Sequence, residues 1–233
     1  MFYFRCISVL FKDFYDTVRR KFIIVRCSVC HSNNTEIFTE LDSKTYWGCL
    51  TCSAKFLDSS HFLSEDEEYA HYCTHQNEIY DPDYRRFLSK LSTPLKCYLK
   101  AHSEGLDYGC GQGPALSVML EEDGYKMCKY DPFFFPDKKI FLTQFDFITC
   151  SEAAEHFHNP NYEFITLDKM LKPSGVLGIM TNFLTKDLVF ENWFYNKDPT
   201  HVVFYSPATF DIIAKQRGWR IQFMDANIVI FKK

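Results

Sequence analysis

The sequence predicts an α/β fold, a largely parallel sheet with helices around it, preceded by a small metal-stapled module. Three observations carry that prediction. A glycine-rich turn, "LDYGCGQGP" at 106–114, stands between a strand-like run and a helix-like one. Apolar strand-like runs then alternate with helical stretches to the last residue, the order that builds parallel sheets. Ahead of both lie four cysteines in two Cys-x-x-Cys pairs.

Composition sets the limits. The chain has 233 residues, is 46% hydrophobic and 18% aromatic, and carries a formal net charge of -4. That length suits one large domain, or an ordinary domain with a small module. The apolar content supplies a core and excludes a disordered class. A net negative charge provides no overall field for a polyphosphate backbone. No run of about eighteen apolar residues occurs, so no membrane partner is expected.

The first element is an arm, residues 1–26. Its start, "MFYFRCISVLFKDFYDTVRRKFIIV", is apolar but interrupted by Arg5, Lys12 and Asp13. It lacks a basic leader, a clean apolar block and a small-residue cleavage site, so it reads as a helix rather than a signal peptide. With no secretion signal, Cys6, Cys73, Cys97, Cys110, Cys128 and Cys150 read as reduced thiols, and the expected compartment is the cytoplasm.

The second element is residues 27–60. Cys27 and Cys30 in "CSVC", and Cys49 and Cys52 in "CLTC", lie eighteen residues apart as pairs. Each turn aims two thiolates at one centre, and two turns complete a tetrahedron of soft ligands. The polar segment between them suits a small hairpin that could not fold on its own apolar surface. Bound zinc would supply that free energy. Four filled positions make the zinc structural, and His31 beside the first pair faces solvent.

Residues 61–104 form a helical linker or lid. Ser64 and Glu67 fit a capping box with an acidic first turn. In "DPDYRRFLSKLSTPLKCYLKAH", Phe87, Leu88, Leu91, Leu95 and Leu99 share one helix face, with a kink expected at Pro94. The preceding stretch, with His75, Asn77 and Tyr84, is placed to fold over a ligand.

Residues 105–233 form the main domain. Leu106 to Tyr108 ends a strand, and Pro114 opens a helix. A dinucleotide fingerprint needs glycine where Pro114 stands, and a P-loop needs a lysine that is missing. What remains is Asp107, Gly109, Gly111 and Gly113, an acid followed by three alternating glycines. Asp131, 22 residues past Gly109, ends the next strand in "YKMCKYDP", where an acid can accept from both ribose hydroxyls. Pro132 follows, then Phe133 and Phe134, which are placed to flank a base. "FDFITC" is a buried strand ending at Ser151 and Glu152. "LKPSGVLGIMTN" is a further strand entered through a turn. "SPATFDIIAKQRGW" is a helix capped by Ser206, opened by Pro207 and closed by Gly218. "RIQFMDANIVIFKK" is a closing hairpin.

This ordered set resembles the class I S-adenosylmethionine-dependent methyltransferases over roughly residues 105–233. The resemblance implies a Rossmann-like sheet with a C-terminal antiparallel hairpin. It implies cofactor contacts at Asp107, Gly109, Gly111, Gly113, Asp131, Pro132, Phe133, Ser151 and Glu152. Only fourteen residues separate Asp131 from Asp146, so the third strand of the fold is shortened or missing. S-adenosylmethionine carries no phosphate but is cationic at its amine and sulfonium. That suits a carboxylate and an open backbone better than a phosphate grip.

Methyl transfer is a displacement at an activated carbon, and a base is needed only when the acceptor arrives protonated. Glu155, His156 and His201 are the candidates, with Asn182 at the next strand end. Glu155 and His156 could equally open a helix, and His201 could simply stabilise its loop. Zinc ribbons also precede sugar C-methyltransferases, which implies a small-molecule acceptor. Zinc-bearing ribosomal RNA guanine methyltransferases have a similar domain order, which keeps RNA as the alternative. Residues 1–60 hold eight Lys/Arg against six Asp/Glu, a weak footprint for a polyanion. A cofactor-binding scaffold without catalysis is the third reading. The sequence leaves the oligomeric state open.

Overall fold

The computed structural model describes residues 25–75 and 77–233. The arm reading and Cys6 fall outside them.

The ribbon is built as its spacing requires. Strands β1 (Thr35–Leu41) and β2 (Lys44–Cys49) pair antiparallel, with Leu41 opposite Lys44. Their two-residue turn, Asp42 and Ser43, has φ of 51° and 64°, the left-handed pair that matches strand twist in tight hairpins. Strand β3 (Lys55–Leu57) adds to β2.

Ser64 and Glu67 form both halves of the expected capping box, opening α1 (Glu65–Tyr72). Helix α2 (Pro82–Lys96) is capped by Asp81 and keeps Pro94 within its last turn. Leu88, Leu91 and Leu95 are buried with Leu116 and Leu120 of α3 (Ala115–Glu122). Pro114 is the N-cap of α3 rather than its first helical residue. Its ψ of 60° keeps it outside the helix.

The main sheet has six strands. They are β4 (Glu104–Tyr108), β5 (Lys126–Tyr130), β6 (Phe145–Ser151), β7 (Leu171–Met180), β9 (Arg220–Asp225) and β10 (Ile228–Lys232). The spatial order is β5-β4-β6-β7-β10-β9. The first four run parallel, and β10 is antiparallel to both neighbours. Among the described residues no strand lies beyond β5. The chain from 132 to 144 makes one bridge, Asp131 to Phe135, and a short 3-10 turn, Lys138–Leu142. The stretch of only fourteen residues is therefore accommodated by omitting the third strand. Helix α4 (Pro160–Met170) precedes β7. Helix α5 (Pro207–Arg217) has Ser206 as N-cap, Pro207 first and Gly218 left-handed at its end, as expected.

Alternation along the central strands sorts the two faces. Val176 and Met180 face the α2–α3 layer, whereas Leu177 and Ile179 join α4 and α5. The same second core takes in the four cysteines, Trp47 and Phe56. One short strand went unread: β8 (Val203–Phe204) pairs antiparallel with β3 and makes a four-stranded ribbon sheet, β1-β2-β3-β8. Two residues give no periodicity to find. Among the described residues no helix is long and apolar enough to cross a membrane.

Candidate active site

The site lies at the carboxyl ends of the parallel strands. β4 delivers the glycine turn. Gly109 and Gly111 have φ of 77° and 63°, a region that side chains disfavour. A Cβ on Gly109 would meet Ala153 at 2.5 Å, while one on Gly111 would meet nothing within 4 Å. Gly109 thus closes the turn against the next strand end, and Gly111 presents bare backbone to open space. Gly113 is needed for a third reason: its Cβ would fall 1.9 Å from the carbonyl oxygen of Asn77. Gln112 also donates to the carbonyl of His75. His75 and Asn77 therefore rest on the glycine turn through their carbonyls. A Gly113→Ala variant should displace them at a cost of about 1–3 kcal/mol. The expected result is cofactor binding weakened about tenfold or more, read by calorimetry. Unchanged affinity would contradict the role of that contact.

The two aspartates are held differently. Asp131, one residue past β5, accepts from the Gly111 amide through Oδ2 (3.0 Å). Its Oδ1 accepts from the amides of Phe133 (2.9 Å) and Phe134 (3.1 Å). These bonds fix its carboxylate at the lip of the turn. Asp107 is buried lower down, its oxygens accepting from Ser117 (2.9 Å) and Thr149 (2.8 Å). It ties α3 to β6 beneath the glycines.

Burial pushes the Asp107 carboxyl up to about 6 from 3.8, although the two hydroxyls favour its charge. The sign follows from linkage. Between these values the folded chain binds the proton and the unfolded chain does not, so stability falls as pH rises from about 4 to about 6. Asp107→Asn should remove that slope. Its stability relative to the native chain should improve by about 3 kcal/mol between pH 4 and pH 8. Urea unfolding at the two pH values tests this; parallel pH profiles would refute it.

β6 ends at Ser151 and Glu152. Glu152 is a non-glycine residue at φ 46°, and such strain gathers at functional sites. Ser151 Oγ and Glu152 Oε1 are buried without a partner. Burial, then the neighbouring Glu155, drives the Glu152 carboxyl up to about 9.

Glu155 and His156 form a short 3-10 turn, Ala154–His156, and not the first turn of α4. Glu155 is fully buried, and its Oε1 accepts from the hydroxyl of Tyr195. The same hydroxyl bonds Thr181 (3.0 Å) and reaches Glu152 (3.4 Å). His156 donates from Nδ1 to the Thr200 carbonyl (3.1 Å), and His201 from Nδ1 to the Tyr195 carbonyl (2.6 Å). The two imidazole centres are 4.8 Å apart. Burial lowers both histidines, His156 to about 4, so both are neutral near pH 7. The structure thus brings together all three sequence-predicted catalytic candidates.

A cavity of about 1270 Å³ joins these groups. It is lined by the glycine turn, Asp131, Pro132 and Phe133 at one end and by Glu155, His156 and His201 at the other. Single-ligand pockets run to roughly 1,000 Å³, so two ligands fit. Asn182 and Tyr84 also line it. Tyr69 and Tyr72 of α1 pack on Phe133, at 5.9 Å and 5.5 Å between centres. Sequence reasoning missed these contacts and the central place of Tyr195. Only the aromatic richness around 193–195 pointed there.

The four cysteines converge as the spacing requires. Their sulfurs lie within 4.8 Å of one another, with Cys27–Cys52 at 3.7 Å and Cys30–Cys49 at 3.5 Å. Ligands 2.3 Å from a tetrahedral zinc are about 3.8 Å apart. The amides of Cys30 and Cys52 point at the sulfurs of Cys27 and Cys49 (3.5 and 3.4 Å), the outer bonds that orient metal-binding thiolates. His31 is exposed.

The glycine turn, the acid after β5 and the reversed final strand together define an S-adenosylmethionine-dependent methyltransferase. The chain belongs to the methyltransferase-domain family, whose sequence profile matches residues 75–222. No curated protein matches it closely in sequence. Among solved structures, it is similar to the complex between the Trm112 methyltransferase activator and a methyltransferase of Haloferax volcanii. That match has 14% identity, covers 71% of this chain and 81% of the other, and has a TM-score of 0.53. Burkholderia thailandensis 1,6-didemethyltoxoflavin-N1-methyltransferase, with bound 1,6-didemethyltoxoflavin and S-adenosylhomocysteine, matches at 13% identity. There 79% of this chain and 97% of the other are covered, with a TM-score of 0.49. A Methanosarcina mazei SAM-dependent methyltransferase matches at 14% identity over 60% of this chain and 96% of the other, TM-score 0.46. At 14% identity the likeness to the Haloferax volcanii structure speaks for the fold alone.

Proposed function

We propose that the chain methylates a small-molecule acceptor enclosed with S-adenosylmethionine in this one cavity. The carrying observation is the division of that cavity into a bare-backbone cradle and a buried acid–histidine cluster. The residues fit the cofactor. Asp131 takes the ribose hydroxyls, Gly109 to Gly113 let the nucleoside approach, and Pro132 and Phe133 flank the base. Ser151 and Glu152 supply unpartnered oxygens for the ammonium end. Asp107 acts from below, holding the turn rather than touching the ligand. S-adenosylmethionine supplies an activated methyl group when bound.

Glu155, His156 and His201 form the acceptor-activating centre. The histidines are neutral, so either can take a proton from an incoming hydroxyl or amine. Eight carboxyl groups and two lysines line the cavity, and even with the raised carboxyls of Glu152 and Glu155 neutral the acids outnumber the lysines. That balance repels a polyanion and supports the small-molecule reading over RNA. The four-cysteine cluster supports a structural zinc, with residues 27–60 as ribbon, 61–104 as cover and 105–233 as the methyltransferase unit. A methyl-acceptor screen with labelled cofactor tests the reading. Label entering small hydroxyl- or amine-bearing compounds supports it. Label entering only RNA, with salt-dependent binding, favours the alternative. Absence of cofactor binding in calorimetry leaves the scaffold.

A further inference from the structure

The acid–histidine cluster has a feature that proton transfer does not require. Both imidazoles spend Nδ1–H on a backbone carbonyl, His156 on Thr200 and His201 on Tyr195. A carbonyl only accepts, so each Nδ1 carries the proton and each Nε2 keeps a lone pair. Histidines that bind metals are oriented in this way, by an outer hydrogen bond on the other nitrogen. Glu155 completes the set. Tyr195 holds one carboxylate oxygen, and Oε2 is buried with no partner in a side chain that is 0% exposed. One atom from each of Glu155, His156 and His201 lies within 4.8 Å of the others. A buried carboxylate oxygen without a partner costs several kcal/mol unless a cation or donor meets it.

We propose that Glu155, His156 and His201 bind a divalent transition-metal ion, with its remaining coordination positions open to the acceptor end of the cavity. The inference rests on the methyltransferase reading of the same cavity. Two imidazoles and one carboxylate select zinc, manganese, iron, cobalt or nickel over magnesium or calcium. This site differs from the cysteine cluster in every ligand, and it is incomplete in protein donors where that one is full. Its open positions suit an acceptor with two adjacent oxygen donors, such as neighbouring hydroxyls. Coordination lowers the pKa of a bound hydroxyl. With both Nε2 lone pairs on the metal, the acceptor O–H bond breaks and its proton passes to water instead of to a histidine. The oxygen–methyl bond forms as the sulfur–methyl bond breaks, giving the methyl ether and S-adenosylhomocysteine.

A second cluster, His71, His75 and Asp198, lies nearby, but His71 and Asp198 already bond each other, and Asp198 Oδ2 stands 3.9 Å from His201 Nε2. His71 Nε2 is 3.2 Å from Asp198, whose Oδ1 also accepts from the Thr200 amide and hydroxyl. It therefore serves as the control.

The test uses the full chain and cobalt(II) alone as probe. Two ions per chain are expected. One gives the intense thiolate charge-transfer band, and the other adds only weaker d–d absorption. Glu155→Gln should abolish the second ion and keep the first, and His75→Gln should keep both. Far-UV circular dichroism confirms that each variant is folded, and His201→Gln serves if Glu155→Gln is not. A single thiolate-bound ion in the native chain would overturn the proposal, as would a second ion lost with His75→Gln but kept with Glu155→Gln. Calorimetry with S-adenosylmethionine separates the two readings. Cofactor binding without a second ion defeats the metal site alone, whereas absent cofactor binding defeats the methyltransferase reading.

Discussion

Replacing Asp131 with alanine should abolish measurable cofactor binding while the chain stays folded. Two ribose hydroxyls donating to a carboxylate contribute about 1.5–3 kcal/mol each. Their joint loss weakens binding about a hundredfold to ten-thousandfold. The substitution also frees the amides of Gly111, Phe133 and Phe134, which now bond that carboxylate. The lip of the turn loses its shape as well as its charge. Because the region borders the cavity and is not part of either packed layer, far-UV circular dichroism should change little. Calorimetry reads the affinity. Native-like binding would remove the ribose role, and with it the central contact of the cradle.

Exchanging Cys49 for serine should abolish zinc binding at the four-cysteine cluster and unfold residues 27–60. The cluster is buried, and Cys49 packs in the core shared with α4 and α5. Structural zinc contributes about 10–16 kcal/mol of apparent binding free energy in small metal-folded peptides, more than the whole stability of a marginal domain. Metal content by mass spectrometry and the thermal midpoint should both fall. The exposed Cys128 supplies a control whose serine variant should change neither. Stoichiometric metal in Cys49→Ser would mean that the cysteines do not ligate it.

Much of this was legible in the sequence because it depends on local chemistry. Glycines that need positive φ, caps such as Ser64 and Ser206, and paired Cys-x-x-Cys turns each announce themselves within a few residues. So did a third strand shortened or missing, since fourteen residues are too few for a crossover and a strand. Long-range contacts were hidden. Nothing local to Tyr195 tells that its hydroxyl will bond Glu155, forty positions earlier. Nothing near Asp107 tells that Thr149 will satisfy it. Pro114 satisfied the propensity for a helix start but took the cap position, a one-residue difference that the turn's geometry decides. Glu155 read equally well as a dipole partner of a helix. Its complete burial is a tertiary fact.

The two residues of β8 have a practical corollary. They hang the loop that bears His201 and Thr200 on the ribbon's last strand, and Thr209 Oγ1 and Gln216 reach the carbonyls of Cys52 and Cys30. Loss of the four-cysteine cluster would thus slacken the His201 end of the cavity from a distance.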